Sequence, residues 1–160
     1  YLATERGFRT DTAGYISTMF AMVGILGTFV ASYLSDSVFK SRRAPISVIM
    51  LVGLALSLVF FWKSSIPLIP LALGLVGFMT YGPDFVVSAV AVMDFGSREG
   101  ASTAAGFVNG LGSFGPAIMT TVVGFVQLYY GWSGVFLLLV ALSLACAALM
   151  ATLWNKVGSN

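Results

Sequence analysis

Residues 77–116 read GFMTYGPDFVVSAVAVMDFGSREGASTAAGFVNGLGSFGP. Two apolar helices run into and out of one short charged loop, Asp94 to Ser102. The first carries Tyr81-Gly82-Pro83-Asp84, a kink signal beside a carboxylate, within an apolar run. The second carries a ladder of small residues and one asparagine. Ionisable and amide groups at such depth are costly in lipid and mark candidate functional positions.

Composition agrees with a membrane setting. The chain has 160 residues, 58% of them hydrophobic and 9% charged, and a mean hydropathy of +0.96. Soluble domains carry about 25% charged residues, so this chain lacks the polar surface to face water on all sides. It reads as an all-α integral membrane protein. A net charge of +2 gives no argument for nucleic acid. With no histidine and one cysteine, Cys146, the chain offers no usual zinc site, no Ser-His triad and no internal disulfide. No metal, cofactor or enzymatic centre is expected. The chain begins at Tyr1 and reads as a piece of a longer polypeptide.

Outward from the central stretch, runs of about 20 apolar residues are long enough to cross a bilayer. Five are expected, at about 14–34, 45–62, 68–93, 103–128 and 134–154. Residues 1–13 are a polar loop. The first span bears a narrow small face of Ser17, Ala21, Gly24, Thr28, Ala31 and Ser35, for helix packing or for lining a pathway. The second has no charge and few small residues, and is expected to face lipid. The third is ~39 Å long if straight, so it is expected to tilt or bend, with Gly82-Pro83 as the kink.

Orientation follows the cations. Lys40, Arg42, Arg43, Arg98 and Lys156 fall on one side and Arg6, Arg9 and Lys63 on the other, which sets the N-terminus outside and the C-terminus inside. Trp62, Trp132 and Trp154 fall at the expected interfaces.

At ~100° per residue, the fourth span places Asn109, Ser113, Pro116 and Thr120 on one face. Gly106, Gly110, Ala117, Thr121 and Gly124 form a small ridge beside it, and Phe107, Leu111, Phe114, Ile118, Val122 and Phe125 lie opposite. The ridge suits helix packing, as does Gly24; the polar face suits a water-lined pathway. The third span offers a matching face of Gly74, Gly77, Tyr81, Asp84 and Ser88. Asp84 lies in the inner half of the membrane, where a charge costs ~3 kcal/mol or more. It either hydrogen-bonds the broken backbone near Pro83 or has a substrate, proton or gating role. The substrate-pathway candidates are therefore Tyr81, Asp84, Asn109 and Ser113. Asp36 is placed to accept from backbone N–H groups at a neighbouring helix N-terminus. Lys40, Arg42 and Arg43 serve either as the inside charge signal or, with Asp36, as a latch between helices on the inner face; Asp94 and Arg98 of the next inner loop join that set.

The loop from Asp36 to Arg43 resembles the signature loop of the major facilitator superfamily. Tyr81-Gly82-Pro83, residues 100–107 (GASTAAGF) and Gly131-Trp132 resemble its organophosphate:phosphate antiporters, which include glycerol-3-phosphate and hexose-phosphate transporters. The resemblance covers about residues 1–154. It implies that the five spans are helices eight to twelve of a twelve-helix transporter. The implied function is exchange of an organophosphate for inorganic phosphate by alternating access, in a plasma or inner membrane. The GPD and DFG sequences at Asp84 and Asp94 fit one subgroup; glycerol-3-phosphate carriers have a tyrosine where this chain has Ser113. The family binds phosphate through arginines of its first and seventh helices, so the N-terminal half and the seventh helix are implied partners, with lipid and a small phosphorylated substrate. The alternatives within the fold are a sugar-phosphate sensor and another major facilitator symporter.

Overall fold

The computed structural model describes residues 1–39, 42–91 and 101–155. Four long helices make up most of it: α1 (Thr10–Ser37), α2 (Arg43–Lys63), α3 (Ile69–Phe85) and α4 (Ala101–Ala151). A 3-10 turn, Ile66–Leu68, leads into α3, and a π-helical stretch, Val86–Ala91, continues it. Among the described residues, four helices are long and apolar enough to cross a membrane. The first three contain or closely match the expected spans at 14–34, 45–62 and 68–93. The expected fourth and fifth spans both fall largely within α4. That helix has 51 residues, ~76 Å of rise against a hydrocarbon core of ~30 Å. Its helical backbone is broken at Gly131, with φ 65° and ψ −171°, a left-handed value that favours glycine.

Proline placement accounts for the course of α3. Pro67 and Pro70 sit in first turns, where a missing N–H leaves no intrahelical bond unmade. Pro83 lies inside the helix and removes the N–H that would bond the Met79 carbonyl. The helix nevertheless continues to Phe85. Beyond it the Val86 N–H is shared between the carbonyls of Gly82 and Pro83, and the ladder widens to π geometry.

The helices pack in the order α1, α3, α2, α4: α3 lies against both α1 and α2, and α2 also packs on α4. The seam between α1 and α3 is closed by glycine. A Cβ on Gly27 would collide with the carbonyl oxygen of Phe78, and one on Gly77 with that of Phe20. No other residue permits backbones this close. In a membrane, such proximity supplies the dispersion contacts that burial against water supplies elsewhere. The buried face of α1 is Gly24, Gly27, Ala31 and Ser35. It is rotated from the expected stripe: Gly27 lies in the seam, while Thr28 turns aside and donates its hydroxyl to the Ile25 carbonyl at 2.7 Å.

The expectation that α2 faces lipid is corrected. Ala44, Pro45, Ile46, Ser47, Met50, Ala55, Ser57, Leu58 and Phe61 are buried, because α2 is held between α3 and α4. Its sequence is apolar on every side, so composition could not distinguish a lipid face from a packed one. Small residues do line it: a Cβ on Gly53 would come within 2.7 Å of the Met79 sulfur.

Two clusters form the core. One joins Leu58, Phe61, Ile69, Ala72, Val76 and Phe136 with Leu2 of the N-terminal segment; the other joins Ala31, Ile46, Met50 and Val86. From α4 only its last part contributes, through Val135, Phe136, Ser143 and Ala147. No residue of 102–134 is buried.

Candidate functional site

Three groups of side chains carry the functional reading, and the fold treats them differently. The first is on α3. Tyr81 lies in the α1 seam, its ring 2.7 Å from where a Cβ on Gly24 would stand. It meets Phe20 edge-on, with centroids 5.5 Å apart at 68°. Gly82 and Pro83 are buried; Gly82 faces Met50 of α2 and Ala31 of α1. Asp84, one step further round, is exposed. Its backbone carbonyl accepts the Ser88 hydroxyl at 2.6 Å, and its carboxylate has no ion pair among the described residues. The hydrogen bond expected from that carboxylate to the backbone near Pro83 is absent from the described contacts. A carboxylate in the inner half of a membrane cannot rest in hydrocarbon without a partner, a proton or water.

The second group is on α4. Asn109 and Ser113 are exposed, and Ser113 donates to the Asn109 carbonyl at 2.8 Å. Thr120 likewise donates to the Pro116 carbonyl at 2.8 Å. A Cβ on Gly106, Gly110 or Gly124 would meet nothing within 4 Å. The opposite side exposes Phe107, Leu111, Phe114, Ile118 and Phe125. Among the described residues, Ile69–Phe85 of α3 does not pack on α4; only its π-helical continuation, Val86–Ala91, touches it. The structure thus does not bring Tyr81 and Asp84 together with Asn109 and Ser113. Among the described residues, the Gly106–Gly110 ridge, expected to pack, has no neighbour within 4 Å of an added Cβ.

The third group joins α1 to α2 at the end for which the cations set the inner side as an expectation. The Arg43 guanidinium donates through Nη1 to Asp36 Oδ1, and to Ser35 Oγ at 3.0 Å. Ser35 is fully buried and donates to the Arg42 carbonyl at 3.5 Å. Asp36 thus takes a guanidinium, and among the described residues no backbone N–H group reaches its carboxylate. Asp36 ends α1 and Arg43 begins α2, so each charge opposes the dipole of its own helix, and pairing offsets both. The Arg43 side chain is 14% exposed and that of Asp36 61%, a half-solvated pair. Arg42 is exposed. Lys40, Asp94 and Arg98 lie outside the described residues.

A further cluster at the other end was missed by the sequence reading. The Tyr1 ring meets those of Phe61, Trp132 and Phe136 at 5.5, 5.3 and 5.0 Å, and Trp62 stacks on Phe136 at 5.9 Å. Arg6 donates to Tyr1 Oη at 2.8 Å and to the Trp62 carbonyl at 2.5 Å. Aromatic residues beside each outer turn were the available signal. Sequence gives their depth but not their mutual contact, and Arg6 read only as a loop cation. Among the described residues no group of three or more acidic, cysteine or histidine side chains could hold a metal.

Comparison with known proteins agrees with the helical, apolar architecture. The family model described as Major Facilitator Superfamily matches residues 1–158. A glycerol-3-phosphate transporter of Bacillus subtilis is 31% identical over 97% of this chain and 36% of its own length. A probable hexose phosphate transport protein of Chlamydia trachomatis is 28% identical over 97% of the chain and 35% of its own. The membrane sensor protein UhpC of Escherichia coli is 28% identical over 87% and 32%. The chain spans about a third of the length of the curated relatives it matches. No solved structure matches it. A family match over nearly the whole chain, on several membrane-length helices, makes this a multi-pass membrane protein that belongs to the Major Facilitator Superfamily.

Proposed function

We propose that this chain is the C-terminal part of a secondary transporter that exchanges an organophosphate for inorganic phosphate. Its five crossings, two of them in α4 on either side of Gly131, correspond to helices eight to twelve of twelve. The observation that carries the substrate class is similarity over 97% of the chain to proteins named as glycerol-3-phosphate and hexose phosphate transporters. The geometry is compatible with it. Asp84 on α3 and the Asn109–Ser113 face of α4 are two polar faces without a neighbour among the described residues, as walls of a pathway completed by the rest of the transporter would be. None of the eight lysines and arginines lies deep in an apolar run. A multiply charged phosphate needs fixed cations, so these come from the remaining helices, and the two halves rock about a site between them. Asp84 would repel phosphate. Its role is to take a substrate hydroxyl, a cation of the other half, or a proton.

The test is counterflow with the full-length protein in proteoliposomes. Vesicles loaded with phosphate should take up labelled glycerol-3-phosphate or a hexose phosphate, and unloaded vesicles should not. A second reading, a membrane sensor, draws on the similarity to the sensor of Escherichia coli. It predicts sugar-phosphate binding without exchange. Neither exchange nor binding with any organophosphate would remove both.

A further inference from the structure

We propose that a cavity beside Arg42 on the inner face is a binding site for the phosphate of an anionic phospholipid headgroup. The cavity measures about 300 Å³ and is lined by Val38, Phe39, Arg42, Pro45 and Trp154. It lies where the end of α1, the start of α2 and the turn after α4 converge. Its size is at the low end of the ~300–1,000 Å³ of small-molecule sites, suited to a headgroup rather than to a whole lipid.

Two neighbouring arginines divide the work there. Arg43 is engaged inward by Asp36 and Ser35. Arg42 lines the cavity, is exposed, and forms no ion pair among the described residues. Its planar guanidinium suits phosphate oxygens. The remaining lining is apolar and aromatic. Tryptophan favours the depth of the lipid headgroups, and Val38, Phe39 and Pro45 offer a surface to the glycerol and first acyl carbons. A free organophosphate has no such tail, so these walls favour the lipid as source. Basic pockets between membrane helices on the inner side take anionic headgroups on this physical basis. The site rests on the inner-side orientation given by the cations and makes no use of the transport cycle.

The full-length protein in neutral detergent is titrated with brominated phosphatidylglycerol, brominated phosphatidylcholine or inorganic phosphate. Quenching of Trp154 is isolated by subtracting the signal of Trp154→Phe. Phosphatidylglycerol should quench Trp154 at lower concentration than phosphatidylcholine, and inorganic phosphate should not relieve the quenching. Arg42→Gln should raise the midpoint for phosphatidylglycerol roughly fivefold, while Arg42→Lys keeps most of the affinity. Equal quenching by the two lipids in the wild type overturns the proposal, as does an unchanged midpoint in Arg42→Gln. Relief by inorganic phosphate also overturns it, in favour of a free-phosphate site. Should Arg42→Gln fail to fold, the comparison of the two lipids on the wild type still decides.

Discussion

Two small-residue faces of this molecule have the same chemistry and opposite surroundings. On α1 and α3, Gly24, Gly27 and Gly77 bring the helices so close that an added Cβ would strike a Tyr81 ring or a backbone carbonyl. On α4, Gly106, Gly110 and Gly124 meet nothing within 4 Å. A small stripe is therefore permission for close approach, and what takes up the permission is decided elsewhere. For α1 the partner lies 51 to 57 residues on in the same chain. For residues 101–130 we assign it to the rest of the transporter.

The largest effect should come from the filled seam. In the full-length protein, Gly77→Leu forces a side chain into the Phe20 carbonyl and should cost about 3 kcal/mol or more, read as loss of monodisperse protein in detergent. Gly106→Leu tests the open ridge. If other helices cover it in the complete transporter, the cost should be about 1–3 kcal/mol, while Val122→Leu nearby should change stability by less than about 0.5 kcal/mol. Equal stability of Gly106→Leu and wild type would leave the ridge uncovered and remove the comparison's second half.

Asp84→Asn should keep folding and cut exchange about tenfold, ~1.4 kcal/mol of transition-state stabilisation, measured by counterflow with matched protein. Wild-type exchange would make Asp84 dispensable and shrink the polar wall to α4. The smallest effect concerns the inner latch. Arg43→Gln should cost about 1 kcal/mol in thermal unfolding, as a half-exposed pair does, and Asp36→Asn added to it should cost little more. Full additivity of the two would show that Arg43 acts through partners other than Asp36.

Much of the fold was legible in the sequence because lipid imposes length. Runs of about 20 apolar residues located α1, α2 and α3 with its π-helical continuation to within a few residues, and the gap between the spans ending at 128 and starting at 134 located the break at Gly131. Rotation about each helix axis was harder to read. Periodicity picked out the small side of α1 but set Thr28 where Gly27 lies, since both are small and one residue apart. It could not orient α2, apolar all round. Partners were least legible. The loop spacing brought Asp36 near Arg43, yet only the fold shows the guanidinium on the carboxylate. Of the candidate pathway, the helices bearing Tyr81, Asp84, Asn109 and Ser113 could be read, but not that Tyr81 turns into the α1 seam while Asp84 stays outside it.

The central claim is that the polar face of residues 101–130 lines a substrate pathway while its aromatic face meets lipid. Single cysteines at Ser113 and Leu111, in the full-length protein freed of Cys146 and other thiols, test it directly. A water-soluble thiol reagent should label Ser113→Cys, with protection by saturating sugar phosphate, and should leave Leu111→Cys unlabelled. Labelling of Leu111→Cys with Ser113→Cys unreactive, or equal labelling of both without protection, would contradict it.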